Sequence, residues 1–245
     1  MKPSVFIGTS GWQYTDWRDA FYPAGLPTSR LLGHYASVFS TVEVNNTFYR
    51  LPEAATFDRW KRETPAGFVM AVKASRYLTH VRRLRDPREP VDLFVSRAER
   101  LGPRLGPVLL QLPPNLPAAP DRLEETLAAF RGRCRVAVEF RHRSWLTDEV
   151  FALLDRSSSA LVLADRPGAR VEPVVTGGWS YLRFHQGTRT EPGYRRDKLR
   201  VWADRIAVLP AKQVFVYFNN DTAAAAPHDA IVLRSLLHDR GVRVA

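Results

Sequence analysis

The sequence contains a single cysteine, Cys134, and two methionines, and only five of its 36 cationic side chains are lysine. One thiol excludes an intrachain disulfide, a thiolate zinc site and an iron-sulfur cluster, so a reducing compartment is expected. Long apolar runs are also missing. Val5-Phe6-Ile7 is ended at once by Gly8, too short for a signal segment or a membrane span, and a cytoplasmic protein with no membrane partner is expected. Neither H-x-H nor H-E-x-x-H spacing occurs, so no metal and no other cofactor is expected. Linkers, internal repeats and low-complexity tracts are absent apart from the short Ala223 to Ala226 run.

What is present describes a globular chain: 245 residues, 45% hydrophobic and 25% charged, a composition that excludes disorder. Its length suits one α/β barrel, a fold of about 250 residues. The net charge of +11 is compatible with an anionic partner, although the arginines are spread through most segments, as a biased genome composition would also spread them.

Eight short apolar or alternating runs recur along the chain: Val5-Ile7, Thr41-Asn45, Phe68-Lys73, Pro107-Gln111, Val136-Phe140, Ala160-Ala164, Ser180-His185 and Gln213-Phe218. Helical patterns separate them at about 28–38, 55–63, 91–102, 120–130, 147–156, 196–208 and 229–239. Pro120 or Asp121, Thr147 and Asp197 suit helix starts. Strands alternating with helices imply a parallel sheet, and eight such strands filling the chain predict a single-domain TIM-type (β/α)8 barrel over residues 1–245. Residues 166–178 lack helical periodicity, so a degenerate sixth helix is expected, and the arginine-rich 76–90 stretch reads as a long loop.

Side chains alternate across a strand, so residues sharing parity with a polar strand end face the same way. This groups Glu43 with Asn45, Ala71 with Lys73, Leu109 with Gln111, Glu139 with Arg141, and Leu163 with Asp165. Tyr181, Arg183 and His185 form another set, as do Phe215, Tyr217 and Asn219. The first run adds Thr9, Ser10 and a Gly8-Gly11-Trp12 turn. These groups are expected at the C-terminal mouth, where barrel enzymes keep their active sites. Burying so many ions is costly unless they are paired, and apolar layers would serve stability as well, so the charge argues for a ligand.

Glu139 is the leading acid/base candidate, with Arg141 two residues on; a purely structural Glu–Arg pair is the alternative. Glu43 is a second carboxylate, and two carboxylates across one pocket would suit glycoside chemistry. Lys73 is expected as an anion clamp or counter-ion, with a Schiff-base role as a further possibility. His185 beside Arg183 suits anion binding or proton transfer. Glu139, Glu43, His185 and Lys73 are thus the catalytic candidates, with Ser10, Trp12, Asn45, Gln111, Arg141, Arg183, Tyr217 and Asn219 as substrate-binding candidates. Cys134 precedes a strand at the opposite end, away from the chemistry.

The motifs GTSGWQYTDWRDAFYP, TVEVNNTFYRLP, GFVMAVKASRYLTH, LGPVLLQLPP, VAVEFRHRSW, YLRFHQG and VYFNND, in this order, resemble the YecE-like proteins, the family of domain of unknown function 72. The resemblance runs from about Ile7 to Leu237 and implies a TIM-type barrel, while carrying no established activity. It implies recurring polar positions at Ser10, Trp12, Glu43, Asn45, Thr47, Tyr49, Lys73, His80, Gln111, Glu139, Arg141, His142, Trp145, Arg183, His185, Asn219, Asn220 and Asp221. One departure stands out: Gln186 separates His185 from Gly187, where the family pattern has glycine directly after the histidine.

Three functions remain open at this point. The first is an enzyme (a hydrolase, isomerase or lyase) using carboxylate acid/base chemistry on a small anionic or polyhydroxylated substrate. The second is a nucleic-acid-binding or nucleic-acid-processing barrel that uses the arginines of 82–88 and Arg195-Arg196. The third is a barrel that binds a metabolite without transforming it. Oligomeric state is not encoded in any of these features.

Overall fold

The computed structural model describes residues 2–167, 174–187 and 190–245. In chain order the strands and α-helices are β1 (Ser4–Thr9), α1 (Leu31–Val38), β2 (Thr41–Val44), α2 (Asn46–Tyr49), α3 (Ala54–Glu63), β3 (Val69–Lys73), α4 (Arg88–Ala98), β4 (Leu105–Gln111) and α5 (Pro120–Phe130). They continue with β5 (Val136–Glu139), α6 (Asp148–Arg156), β6 (Ala160–Asp165), β7 (Ser180–Phe184), α7 (Arg196–Ala207), β8 (Gln213–Phe218), α8 (Ala225–His238) and β9 (Arg243–Val244). All eight expected strands are present, and the fold is α/β with parallel strands. No described helix is long and apolar enough to cross a membrane.

The chain forms two compact units, one of residues 1–43, 163–175 and 179–245, the other of residues 44–162 and 176–178. In the first, β1 pairs in parallel with β8 and with β9, and β8 pairs in parallel with β7. Ser10, just past β1, bridges Glu43 of β2. In the second, β3 pairs with β4, β4 with β5 and β5 with β6, again all parallel.

Local chemistry explains the helix boundaries. Thr147 caps α6 by accepting the Val150 N–H at 3.3 Å, with Asp148 and Glu149 in the first turn and Arg156 in the last, each suited to the helix dipole. Pro120 opens α5, where its missing N–H costs nothing, and Leu123, Thr126, Leu127 and Phe130 form its buried face. Asp197 lies in the first turn of α7 rather than at its cap, which is Arg195.

Four expectations need correction or qualification. Helix α8 begins four residues before the expected 229, since Pro227 falls in its first turn, where a proline is tolerated. Ala223 and Ala224 adopt left-handed φ angles of 53° and 56° before it, and the Ala223 N–H donates to Asp16 Oδ2 at 2.7 Å. The 76–90 stretch is not one loop: Tyr77–Val81 forms a π-helical turn and Arg88 already belongs to α4. Asp165 turns toward α7, accepting from Trp202 Nε1 at 3.0 Å and from Gln186 Nε2 at 2.6 Å, because a buried carboxylate settles where donors are. Residues 168–173 of the expected degenerate sixth helix lie outside the described residues, and no helix occupies the described residues on either side of them.

Gly8 and Gly187 sit at the tightest backbone approaches among the described glycines. A Cβ on Gly8 would lie 2.1 Å from the Thr41 carbonyl oxygen, and one on Gly187 (φ 130°) would lie 2.3 Å from that of Pro192. Gly187 directly follows the extra Gln186. Gly8→Ala must push β1 away from Thr41 and should destabilise by about 3 kcal/mol or more, at the upper end of overpacking costs. Urea denaturation of the two proteins measures it; an unchanged midpoint would mean that this approach relaxes freely.

Candidate functional site

In the first unit Glu43, fully buried, is the centre of a hydrogen-bond network. Arg183 grips it with two nitrogens, Nη2 to Oε1 at 2.7 Å and Nε to Oε2 at 2.9 Å. Ser10 Oγ donates to Oε1 and Tyr181 O–H to Oε2, each at 2.7 Å. Arg183 Nη2 also reaches Asn219 Oδ1 at 3.3 Å. Burial alone would raise the Glu43 carboxyl, but the Arg183 charge and the hydrogen bonds from Arg183, Ser10 and Tyr181 outweigh it and hold the pKa below the ordinary value. The Tyr181 hydroxyl is pushed far the other way, by burial first and then by the Glu43 charge, and so remains a donor.

Ser10, Glu43, Arg183 and Asn219, expected together from alternation, are thus joined. Tyr217 is fully buried, its hydroxyl 2.7 Å from Thr41 Oγ1 and its ring 5.1 Å from that of Tyr181. Trp12 is buried as well, and its carbonyl accepts the Tyr22 hydroxyl at 2.5 Å. His185 is half-buried, with its backbone N–H on the Asp165 carbonyl at 2.9 Å. Sequence reasoning put Tyr181 on the Arg183 face but gave it no role. The Tyr14 hydroxyl donates to the Ser10 carbonyl at 2.5 Å.

The second unit gathers a different set at the ends of β3, β4 and β5. Buried Glu139 is ion-paired with Arg141, whose side chain is 22% exposed and so reaches solvent. Gln111 is the register partner of Glu139. Lys73 is largely buried, its Nζ 4.1 Å from the centroid of the Phe48 ring. Thr47 Oγ1 donates to the Lys73 carbonyl at 2.7 Å, tying α2 to the end of β3, and Asn45 immediately precedes that helix. His80 meets the same Phe48 ring edge-on, with centroids 5.0 Å apart. Burial, then the charges of Lys73, Arg76 and Arg141, lower the His80 pKa and keep the imidazole neutral at pH 7. Residue patterning gave no reason to choose His80, because its turn read as loop. Burial pushes the Cys134 thiol up to about 12, so it stays protonated near neutral pH. Among the described residues no group of three or more His, Cys, Asp or Glu side chains is placed to hold a metal ion.

The family model described as "Protein of unknown function DUF72" matches residues 6–244. The chain belongs to this family. The DUF72 chain is 28% identical over 273 residues to the UPF0759 protein YunF of Bacillus subtilis, covering 95% of this chain and 94% of that protein. It is 31% identical over 139 residues to the UPF0759 protein YecE of Escherichia coli K12, covering 56% of this chain and 48% of that one. A crystal structure of a DUF72 family protein from Thermotoga maritima is similar with a TM-score of 0.84 at 29% identity, over 96% of this chain and 99% of that one.

Glu43→Gln leaves the buried Arg183 charge poorly compensated and should destabilise the DUF72 chain by about 3–5 kcal/mol near neutral pH. The Glu43 pKa is lowered on folding, so its contribution is complete above the unfolded value and is lost as pH falls through the folded one. The gap between variant and wild type should therefore narrow below about pH 4, the ordinary glutamate range. Denaturant titrations at several pH values test this, and a gap independent of pH would contradict the charged assignment.

Proposed function

We propose that this DUF72 protein is a cytoplasmic, single-domain TIM-type (β/α)8 barrel enzyme that acts on a small anionic or polyhydroxylated substrate at the C-terminal ends of its strands. The barrel reading is supported by the regular alternation of parallel strands with helices. The substrate class is supported by one observation above all: Lys73 Nζ and the His80 ring meet the same Phe48 ring, in the unit where Arg141, partly open to solvent, pairs with buried Glu139. Cations so disposed, in a partly dry site, favour an anion.

The roles follow from the contacts. Lys73 and Arg141 hold the anionic group. Glu139 exchanges a proton with the substrate, since an anion bound by Arg141 competes for its ion-pair partner and releases the carboxylate. Glu43 has both oxygens occupied by Arg183, Ser10 and Tyr181, so the proposal gives it a positioning role instead of proton transfer. A non-catalytic binding barrel would use the same cations and differ only in lacking turnover.

Two measurements test the reading. Sulfate titrated calorimetrically should bind the wild type, and Lys73→Ala should weaken it about tenfold, the loss of one charge-assisted contact. In a screen of phosphorylated and carboxylated polyols, Glu139→Gln should lower turnover by about 10²–10⁴-fold with its thermal unfolding retained. Undiminished conversion by that variant removes the mechanism.

A second reading is favoured by exposed aromatics beside this cationic set: Tyr49 is 80% and Tyr77 52% exposed, and both could stack on unpaired bases. Against it, Arg82 is engaged with Asp86 at 2.6 Å and Arg83 with the Asn115 carbonyl at 2.6 Å. Single-stranded nucleic acid should then bind with an affinity that falls steeply with salt. Anisotropy with no change at low salt eliminates it.

A further inference from the structure

We propose that His80 is a second proton-accepting group of the anion site, beside Glu139, presenting the lone pair of its Nε2 to a hydroxyl of a ligand whose anionic group meets Lys73 and Arg141. The inference rests on the site reading above and narrows the ligand to a phosphorylated or carboxylated polyol, since a bare anion offers no alcohol proton.

Thr79 Oγ1 lies 3.1 Å from the Ser75 carbonyl oxygen, which also takes the Thr79 N–H, and 2.8 Å from His80 Nδ1. With the hydroxyl hydrogen on the carbonyl, the ring supplies the hydrogen of the second contact, and the proposal accordingly gives Nδ1 the proton and Nε2 the lone pair.

The backbone fixes this arrangement. Tyr77–Val81 is a π-helical turn closed by the Arg82 N–H on the Tyr77 carbonyl at 2.8 Å, a form that recurs at functional sites. It places Thr79 over Ser75 and aims the next residue at Phe48. The Phe48 ring then lies between two functional groups, with Lys73 Nζ over its face and the His80 ring against it.

The charged groups facing His80 are Lys73 of β3, Arg76 at the start of the turn and Arg141 after β5. Burial and then these charges make the imidazolium costly. When a ligand anion offsets them, a proton passing from the ligand hydroxyl to Nε2 leaves an alkoxide on the ligand and an imidazolium on His80. Proton acceptance is thus coupled to anion binding.

Long-range proton–nitrogen spectra of the full 15N-labelled chain at pH 7, with the His80 signals assigned through His80→Gln, test the proposal. A neutral ring protonated at Nδ1 is expected. Thr79→Val, which keeps the shape and removes the accepting oxygen, should pass to the Nε2-protonated form common in solution. Sulfate and glycerol 3-phosphate should both bind and make the imidazolium easier to form, and at about pH 8, where the ring stays neutral, only glycerol 3-phosphate should shift Nε2, through its hydroxyl. A wild-type ring that is charged or protonated at Nε2, or an Nε2 signal indifferent to saturating glycerol 3-phosphate, overturns the inference while leaving sulfate binding intact. If neither anion binds, the anion site itself is wrong and the inference falls with it.

Discussion

The ion pair between Glu43 and Arg183 is the constraint on which the first unit depends. Two ions removed from water lose several kcal/mol each, and only close, multiple contacts recover it. Here the carboxylate takes four hydrogen bonds, from Ser10 after β1, from Tyr181 on β7 and two from Arg183. Because these donors come from separate strands, the charge is satisfied only when the strand ends are in register. The pair therefore acts more as a specification of geometry than as a net source of stability.

The second unit handles its charge differently. Glu139 is as deeply buried as Glu43, yet its partner Arg141 reaches solvent and can meet another group. Lys73 rests on an aromatic face, a weaker contact than a bidentate carboxylate. In the first unit the carboxylate takes four hydrogen bonds; in the second, cations lie beside a neutral imidazole.

Much of this was legible from periodicity. Alternation in Val42–Asn45 and Tyr181–His185 was enough to put Glu43 and Arg183 on one face, and the eight apolar runs match the strands. The failures have physical causes. Asp165 followed its donors, Trp202 and Gln186, and not the parity of its strand. The start of α8 was hidden by Pro227, a breaker only beyond the first turn. Periodicity did not single out His80, which the family resemblance alone named, because a π-helical turn has neither of the periods that sequence patterns are compared with.

That same turn makes the segment after β3 sensitive to length as well as to composition. A π turn holds one residue more than an α turn, and each residue advances the direction of its side chain by about 100°. Deleting any one residue between Tyr77 and Val81 would leave a helical turn of ordinary pitch with the imidazole swung about a quarter of the way around the axis, off the Phe48 ring. An insertion or deletion there would displace the imidazole even if every remaining residue kept its identity.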